Sequence, residues 1–332
     1  YEMSASLVGS EMCIRDSTMT LQQMKYVLTI AEEGSMNRAA ERLFISQPSL
    51  TSSVRELEKE IGIQIFVRSS RGVSVTAEGA DFLMYVRQVY QQYELLRQKY
   101  GESGGARRRF GVSTQHYSFA VKAFVEMVKN FGTLNFDFAI RETRTMDVLK
   151  DVGGFRSEVG IIYQCDYNRR IIGKILHDLE LEFVPLIDCR AYVYLWKNHP
   201  LANEKSIGLE QLADYPCLVF EQGDGASGFL AEEILTDNDY PRMIRSTDRA
   251  TQLNLMVGLN GYTLCSGIIC EELNGSEYRA VPFREDEHNR NTTMQIGYVV
   301  KKHSILSDIA DVYITEVRRY LSACGELKED KR

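Results

Sequence analysis

Between Ser46 and Arg55, small and flexible hydrogen-bonding side chains recur at helical spacing: Gln47, Ser49, Thr51, Ser52 and Arg55. Laid in a DNA major groove, a Gln reads adenine through two hydrogen bonds and an Arg reads guanine in the same way. Ser and Thr bond to bases or phosphates. A second set lies further along. Ser113-Thr114-Gln115-His116 ends an apolar run just ahead of an amphipathic stretch, and Thr145 opens another. Hydroxyls, an amide and free backbone N–H groups at a helix N-terminus make a site for an anion such as a carboxylate or sulfate. Tyr163-Gln164 and Cys265-Ser266 end strand-like runs, and Ser246-Thr247 precedes a helix. The candidate ligand residues are therefore Ser113, Thr114, Gln115, His116, Thr145, Tyr163, Thr247 and Ser266. Ser113 or Thr114 beside His116 also has the elements of a nucleophile and base. Catalysis would need a third orienting group, and no GxSxG elbow, HExxH, glycine-rich phosphate loop or dinucleotide fingerprint is present. Asp166, His177, Asp178 and His199 are scattered without metal-ligand spacing. No enzyme, cofactor or metal is expected.

The first set needs a helix held at a fixed angle. Leu21, Met24, Tyr26, Val27 and Ile30 give a first helix that stops near Gly34. Ser35 is an N-cap for a second, with Ala39, Ala40 and Leu43 inward; two adjacent alanines let another helix approach closely. After the turn Phe44-Ile45-Ser46, Ser46 caps a third helix with Pro48 in its first turn, where the missing N–H costs nothing. Leu50, Val54, Leu57 and Ile61 form its buried stripe. Two short helices joined by a tight turn match the helix-turn-helix unit, whose second helix enters the major groove. Beyond Gly62, Ile63–Thr76 alternates as a hairpin with Ser69-Ser70-Arg71-Gly72 as its turn. This is a wing that places Arg68 and Arg71 against phosphates or the minor groove. Thr76 caps a long helix from Ala77 to about Lys99, striped by Phe82, Val86, Val89, Tyr93 and Leu96, which needs an apolar partner, either its own head or a second chain, the latter making it a dimerisation helix.

Gly34-Ser35-Met36-Asn37-Arg38-Ala39-Ala40, Ser46-Gln47-Pro48-Ser49-Leu50, Val54-Arg55-Glu56-Leu57-Glu58, Phe66-Val67-Arg68 and Thr76-Ala77-Glu78-Gly79 occur in that order without gaps. In these residues the chain resembles the LysR-type transcriptional regulators. The resemblance implies a sequence-specific DNA-binding regulator whose reading unit spans about Met36–Arg55, with Ser35, Asn37, Arg38, Gln47, Pro48, Ser49, Thr51, Ser52, Arg55, Arg68 and Arg71 as DNA-contacting candidates. It also implies a homodimer assembling into a homotetramer on a partly palindromic promoter site, a small-molecule effector, and contact with RNA polymerase. By resemblance to sulfate- and carboxylate-sensing members, Thr114, Gln115 and Thr145 are the first choices for the effector. Ser53 and Val54 depart from the pattern, since a basic residue often precedes the hydrophobic one, so weaker phosphate contact is expected there.

The rest of the chain reads as an α/β body. Gly101–Gly105 is a flexible break followed by Arg107-Arg108-Arg109. Strands are expected at Phe110–Val112, Phe136–Arg141, Val159–Tyr163, Leu181–Ile187, Arg190–Trp196, Cys217–Phe220, Met243–Ser246, Tyr262–Cys265, Tyr278–Phe283 and Met294–Lys301. Helices are expected at Phe119–Asn130, Thr145–Val152, near Leu209–Ala213, near Gly228–Leu235, Asp248–Leu259 and Ile305–Ser322. The alternation predicts parallel sheets in two lobes, with ligand in the crevice at the strand ends. The expected crossings lie near Asp178–Leu181 and Arg284–Thr293. This layout, and Asn198-His199-Pro200-Leu201-Ala202 in the second lobe, also resembles the periplasmic-binding-protein-like effector domain of the family. The expected fold is thus α/β overall: a winged helix-turn-helix at 19–77, a linker helix and hinge at 78–105, and an effector domain at 106–325. Lobe one is expected at about 106–179 and 290–325, and lobe two at about 180–289.

Length and composition agree. The chain has 332 residues, 44% hydrophobic and 26% charged, enough for two or three packed domains and too apolar for disorder. No apolar run is long enough for a membrane span. The formal charge of −7 hides a division, because Met19–Tyr100 holds 10 Lys+Arg against 9 Asp+Glu while the remainder is acidic. A slightly basic head on an acidic body suits nucleic-acid binding at the head. Seven cysteines with no CxxC pair argue against a disulfide framework or zinc site and for a reducing cytoplasm. Residues 1–18 carry no basic n-region and no long apolar stretch, so they do not read as a signal peptide; Met19 is the expected natural start and the preceding segment a non-native scar. The alternative readings, a cytoplasmic solute-binding receptor or an enzyme on the same α/β fold, leave the head unexplained.

Overall fold

The computed structural model describes residues 19–69, 72–100, 108–132, 135–223, 228–236, 238–287, 289 and 292–325. Residues 1–18, Ser70 and Arg71 of the wing turn, the break at 101–105 and Arg107 lie outside the described residues. The chain separates into two compact units, Tyr1–Gly101 and Glu102–Arg332.

The first unit begins with α1 (Leu21–Glu33), α2 (Met36–Leu43) and α3 (Gln47–Ile61). A capping box between Thr20 and Gln23 starts α1, and Gly34 ends it in the left-handed region. Val27, Ile30, Ala39, Ala40, Leu50, Val54 and Leu57 close one core with Ile65 and Phe66. The wing is β1 (Phe66–Ser69) paired antiparallel with β2 (Gly72–Val75). Two glycines make this packing possible. Gly72, at φ +127, passes so close to α1 that a Cβ would lie 2.7 Å from the Gly34 carbonyl oxygen, which accepts the Val73 N–H at 2.9 Å. Gly79, in the first turn of α4 (Ala77–Tyr100), lies against the Ile65 backbone, where any side chain would overlap. Thr76 caps α4 by accepting the Gly79 N–H at 2.8 Å. The expected stripe of α4 divides along its length. Leu83 and Val86 join the core of the head, whereas Tyr85, Val89 and Leu96 are exposed.

The second unit contains β3 (Arg108–Thr114), α5 (Ser118–Lys129), β4 (Phe136–Glu142), α6 (Thr145–Gly153), β5 (Val159–Gln164), α7 (Arg169–Asp178) and β6 (Leu181–Arg190). Then follow β7 (Tyr192–Trp196), α8 (Leu209–Leu212), β8 (Cys217–Phe220), β9 (Met243–Ser246), α9 (Arg249–Leu259) and β10 (Thr263–Cys265). The unit ends with α10 (Glu271–Asn274), β11 (Tyr278–Pro282), β12 (Thr293–Lys301) and α11 (Asp308–Ser322). Lobe one is a five-stranded sheet in the order β4-β3-β5-β12-β6. Phe119, Ala123 and Met127 of α5 pack with Ile309, Tyr313 and Val317 of α11 in one hydrophobic cluster, and Val148 and Leu149 of α6 with Ile172 of α7 in another. The middle strand β5 is buried at every position and sends Val159, Ile161 and Tyr163 to the first cluster and Ile162 to the second. Lobe two holds a three-stranded sheet, β10-β7-β11, and a parallel pair, β8-β9.

Three expectations need correction. The sheets are not simply parallel: β3 runs parallel to β4 and β5, but β12 is antiparallel to both β5 and β6, and β7 is antiparallel to β10 and β11. The reason is that β6 leaves lobe one and β12 returns to it, so the two strands run opposite ways side by side. The outward crossing consequently falls after Arg190, not near Asp178–Leu181, because β6 still pairs with β12 as far as Arg190↔Thr293. Finally, the helix expected near Gly228–Leu235 is only a 3-10 turn at Gly228–Leu230 followed by irregular chain. Helix α7 carries only Ile172 and Leu176 as buried residues, too sparse a stripe to announce it. No described helix is long and apolar enough to cross a membrane.

Candidate functional sites

In the head, serine caps open α2 and α3. The Ser35 hydroxyl accepts the Arg38 N–H at 3.4 Å, and the Ser46 hydroxyl accepts the Ser49 N–H at 3.2 Å. Pro48, Ser49, Ser52 and Arg55 are exposed, while Gln47 and Thr51 are half-buried on the same helix. Contacts along the helix hold this face in order. The Gln47 amide donates to the Thr51 hydroxyl at 2.8 Å, and the Ser52 hydroxyl donates to the Glu56 carboxylate at 3.1 Å. Asn37 and Arg68 are exposed. Arg38 turns back to the Glu33 carbonyl, and Ser35 is a cap before it is anything else. Arg71 lies outside the described residues. Sequence reading missed two features. Glu58 accepts the backbone N–H groups of Ile65 and Phe66 at 2.8 and 3.0 Å and so fixes the root of the wing. Phe44, in the left-handed region at the turn, is 95% exposed.

In the body, the candidate residues separate into groups. Ser113 is fully buried, with its hydroxyl 2.6 Å from the Asp151 carboxylate and 2.8 Å from the Ser157 hydroxyl. Thr114 donates to the Gln115 carbonyl at 2.8 Å. Gln115, Thr145 and Tyr163 do meet: the Gln115 amide donates to the Thr145 hydroxyl at 2.6 Å and its oxygen accepts the Tyr163 N–H at 3.0 Å. This clip ties β3, β5 and α6 together and uses both ends of the amide. The first N–H of α6, and the His116 N–H just ahead of α5, already have partners from lobe two. The Thr145 N–H donates to the Gln222 side-chain oxygen at 3.0 Å. His116 donates its backbone N–H to the Glu232 carboxylate at 2.7 Å, sets Nδ1 2.9 Å from the same oxygen, and stacks on Phe220 at 3.8 Å between ring centroids. Gln222 in turn donates to Glu232 at 3.1 Å. Arg249 pairs with Glu142, and Arg144 lies 3.3 Å from Glu221. Thr247 is exposed, away from these contacts, whereas Ser266 is buried and accepts the Ile268 N–H at 3.3 Å.

Beside this lattice is a cavity of about 80 Å³, lined by His116, Tyr117, Phe220, Glu232, Glu233, Gln252 and Ser266 among others. Glu233 accepts the Phe220 N–H at 2.8 Å through one oxygen, and burial with the neighbouring Glu232 charge pushes its carboxyl up to about 8. Glu232 and Glu233 were not among the expected residues. They lie in the stretch read as a helix, where acidic side chains suggest a solvated face. Ser113 and Thr114 are engaged elsewhere than His116, so no nucleophile–base pair forms. Among the described residues no group of three His, Cys, Asp or Glu side chains is placed to hold a metal ion.

Comparison with known proteins adds three findings. Residues 21–80 match the bacterial regulatory helix-turn-helix protein family of lysR type, and residues 135–322 match the LysR substrate binding domain. The hydrogen peroxide-inducible genes activator of Pectobacterium carotovorum is 24% identical over 254 residues, covering 74% of this chain and 79% of that protein. The RuBisCO operon transcriptional regulator of Allochromatium vinosum is 27% identical over 211 residues, 62% of this chain and 66% of that one. Among solved structures, a full-length OxyR variant from Pseudomonas aeruginosa shares the fold with a TM-score of 0.65 at 18% identity, over 95% of this chain and 99% of that chain. Full-length CbnR in complex with its target DNA gives 0.52 at 16% identity, over 91% and 100%.

Proposed function

The chain belongs to the LysR family of bacterial regulators, and on that premise we propose how it divides promoter reading and effector sensing between its two units. It is a DNA-binding transcriptional regulator with an effector-binding domain. In the head, Gln47, Ser49, Thr51, Ser52 and Arg55 face base edges in the major groove. Pro48, Ser35, Asn37 and Arg38 lie against the adjoining backbone, and Arg68 and Arg71 of the wing meet phosphates or the minor groove. The single observation that carries this reading is the capped, exposed polar face of α3, ordered by contacts within the helix.

In the body, a small molecule bound between the lobes alters the balance of states of the oligomer, and hence promoter binding or activation. Of the expected residues, His116 and Ser266 line the proposed site, and Gln115, Thr145 and Tyr163 hold β3, α6 and β5 together. The exposed apolar half of α4 supports a homodimer, which pairs into a tetramer on DNA and contacts RNA polymerase in the cytoplasm. The chain acts without catalysing a reaction. The peroxide response named in its relatives is not extended to it.

Footprinting on the DNA upstream of its own reading frame, with excess competitor and at two salt concentrations, tests the reading. A long, partly symmetric protected region that survives competitor is expected. Protection that vanishes with modest salt at every promoter tried would reduce the head to phosphate contact alone.

A further inference from the structure

The cavity beside His116 is unusual in what its walls leave unmade. Glu233 Oε2, Gln252 Nε2 and the Tyr117 hydroxyl are all buried and none has a hydrogen-bond partner. All three residues line the cavity, and the side chains of Glu233 and Gln252 are each 96% removed from solvent, at 4% exposure. A buried polar atom left unpaired costs about 1–3 kcal/mol, so three around one space imply an occupant that satisfies them. The sign of the charge is also informative. Glu233 brings a carboxyl group to the lining, Glu232 is held by His116 and Gln222, and the lining cation Arg249 is drawn to Glu142 and Asn274. Tyr194 and Phe220, the latter stacked on His116, also line the space.

We propose that this cavity binds a compact molecule carrying a primary ammonium group beside an oxygen acceptor, the arrangement shared by small amino alcohols and small amino acids. The ammonium meets Glu233 and the acceptor takes the Gln252 amide. Glu232 and Gln222 already hold the His116 and Thr145 N–H groups that an anion at those two positions would need. The inference deepens the effector reading and rests on it. Size limits the ligand: about 80 Å³ is room for two or three waters by the usual liquid volume, so only a few heavy atoms enter without lobe movement.

Glu233 gives the proposal a signature. Its carboxyl is held neutral up to about pH 8 by burial, with Glu232, Tyr117, Tyr163, Cys217 and Cys265 facing it and His116 and Arg249 beyond. An arriving ammonium pairs with the ionised form, so Glu233 must pass its proton to solvent. Binding therefore releases a proton below that pH and tightens as pH rises toward it.

Calorimetry on the full chain with ethanolamine, methylammonium, acetate and sulfate makes the test. Ethanolamine is expected to bind, with a heat that depends on buffer ionisation below pH 8 and an affinity that rises with pH. Glu233→Gln, which keeps the acceptor for Phe220, should weaken it at least about tenfold, equivalent to about 1.4 kcal/mol. Gln252→Leu should remove the advantage of ethanolamine over methylammonium and leave methylammonium binding as it was. No ethanolamine heat, or unchanged affinity in Glu233→Gln with a native circular dichroism spectrum, overturns the proposal. Acetate or sulfate binding that shifts the promoter footprint overturns it too, while the effector reading stands. Ethanolamine binding that leaves every footprint unmoved supports the ligand class and removes the effector reading.

Discussion

Helix α3 of the head and the cleft of the body are built from the same side chains in opposite states. In α3, hydroxyls, an amide and a guanidinium stand at or near the surface, tied only to neighbours one turn away. In the body, the equivalent groups are buried and engaged across long stretches of sequence: Gln115 with Thr145 and Tyr163, Thr145 with Gln222, His116 with Glu232. Polar groups ordered locally and left open face a partner outside the chain. Polar groups saturated by distant parts of the chain hold the fold, and there the orphaned atoms, not the paired ones, point to a ligand.

The largest effect should come from the core beneath the open face. Leu57→Ala removes a fully buried side chain from the head and is expected to cost about 2–5 kcal/mol, read by denaturant unfolding, with DNA binding lost as α3 loosens. If footprints survived at full strength, the rigidity attributed to α3 would be wrong.

Nearly as large is the change expected where the body is saturated. Glu232→Ala leaves the His116 N–H and the Gln222 amide without their acceptor, and should destabilise the body by about 2–4 kcal/mol in a urea titration. Loss below about 0.5 kcal/mol would mean that water replaces the carboxylate freely and that the cleft is not locked. The neighbouring Glu233 carries a pH dependence of definite sign. Its folded pKa of about 8 lies above the ordinary 4.5, so the folded state holds the proton more tightly. Its contribution to stability is full below about 4.5 and declines as pH rises toward 8. Glu233→Gln should flatten that slope in melting curves taken across the window; a slope unchanged by the substitution assigns it to other groups.

The difference between the regions also explains how much could be read beforehand. The helices of the head were legible because caps, turn and core stripe are all local: Ser35, Ser46, Pro48 and the Leu50–Leu57 spacing act within one or two turns. The strands of the body were legible as apolar runs. Their directions were not, because whether β12 lies antiparallel to β5 depends on where the chain comes back from lobe two. The cleft was half legible. Gln115, Thr145 and Tyr163 meet as their strand and helix ends suggested, but Glu232 and Glu233 sit in irregular chain that no periodicity marks. Their meaning depends on burial, which sequence spacing does not report.

At the open face, Arg55→Ala should leave the fold intact and cost about 1–3 kcal/mol at one base pair, seen as relaxed preference at that position in a binding series. Uniform weakening across all sequences would move Arg55 from base reading to phosphate contact.

The smallest effect separates capping from recognition in the same helix. Ser46 accepts the Ser49 N–H at 3.2 Å and so satisfies one of the free donors that open α3. Ser46→Ala should lower the stability of the head by about 1 kcal/mol. If Ser46 only caps, DNA affinity falls by the same factor for every operator variant, because the fraction of ordered α3 falls. If its hydroxyl also touches the promoter, the loss is concentrated at one base pair. Ser35, whose hydroxyl accepts the Arg38 N–H, poses the same question. The answer at Ser46 shows whether an exposed cap in this chain belongs to the reading surface or to the fold alone.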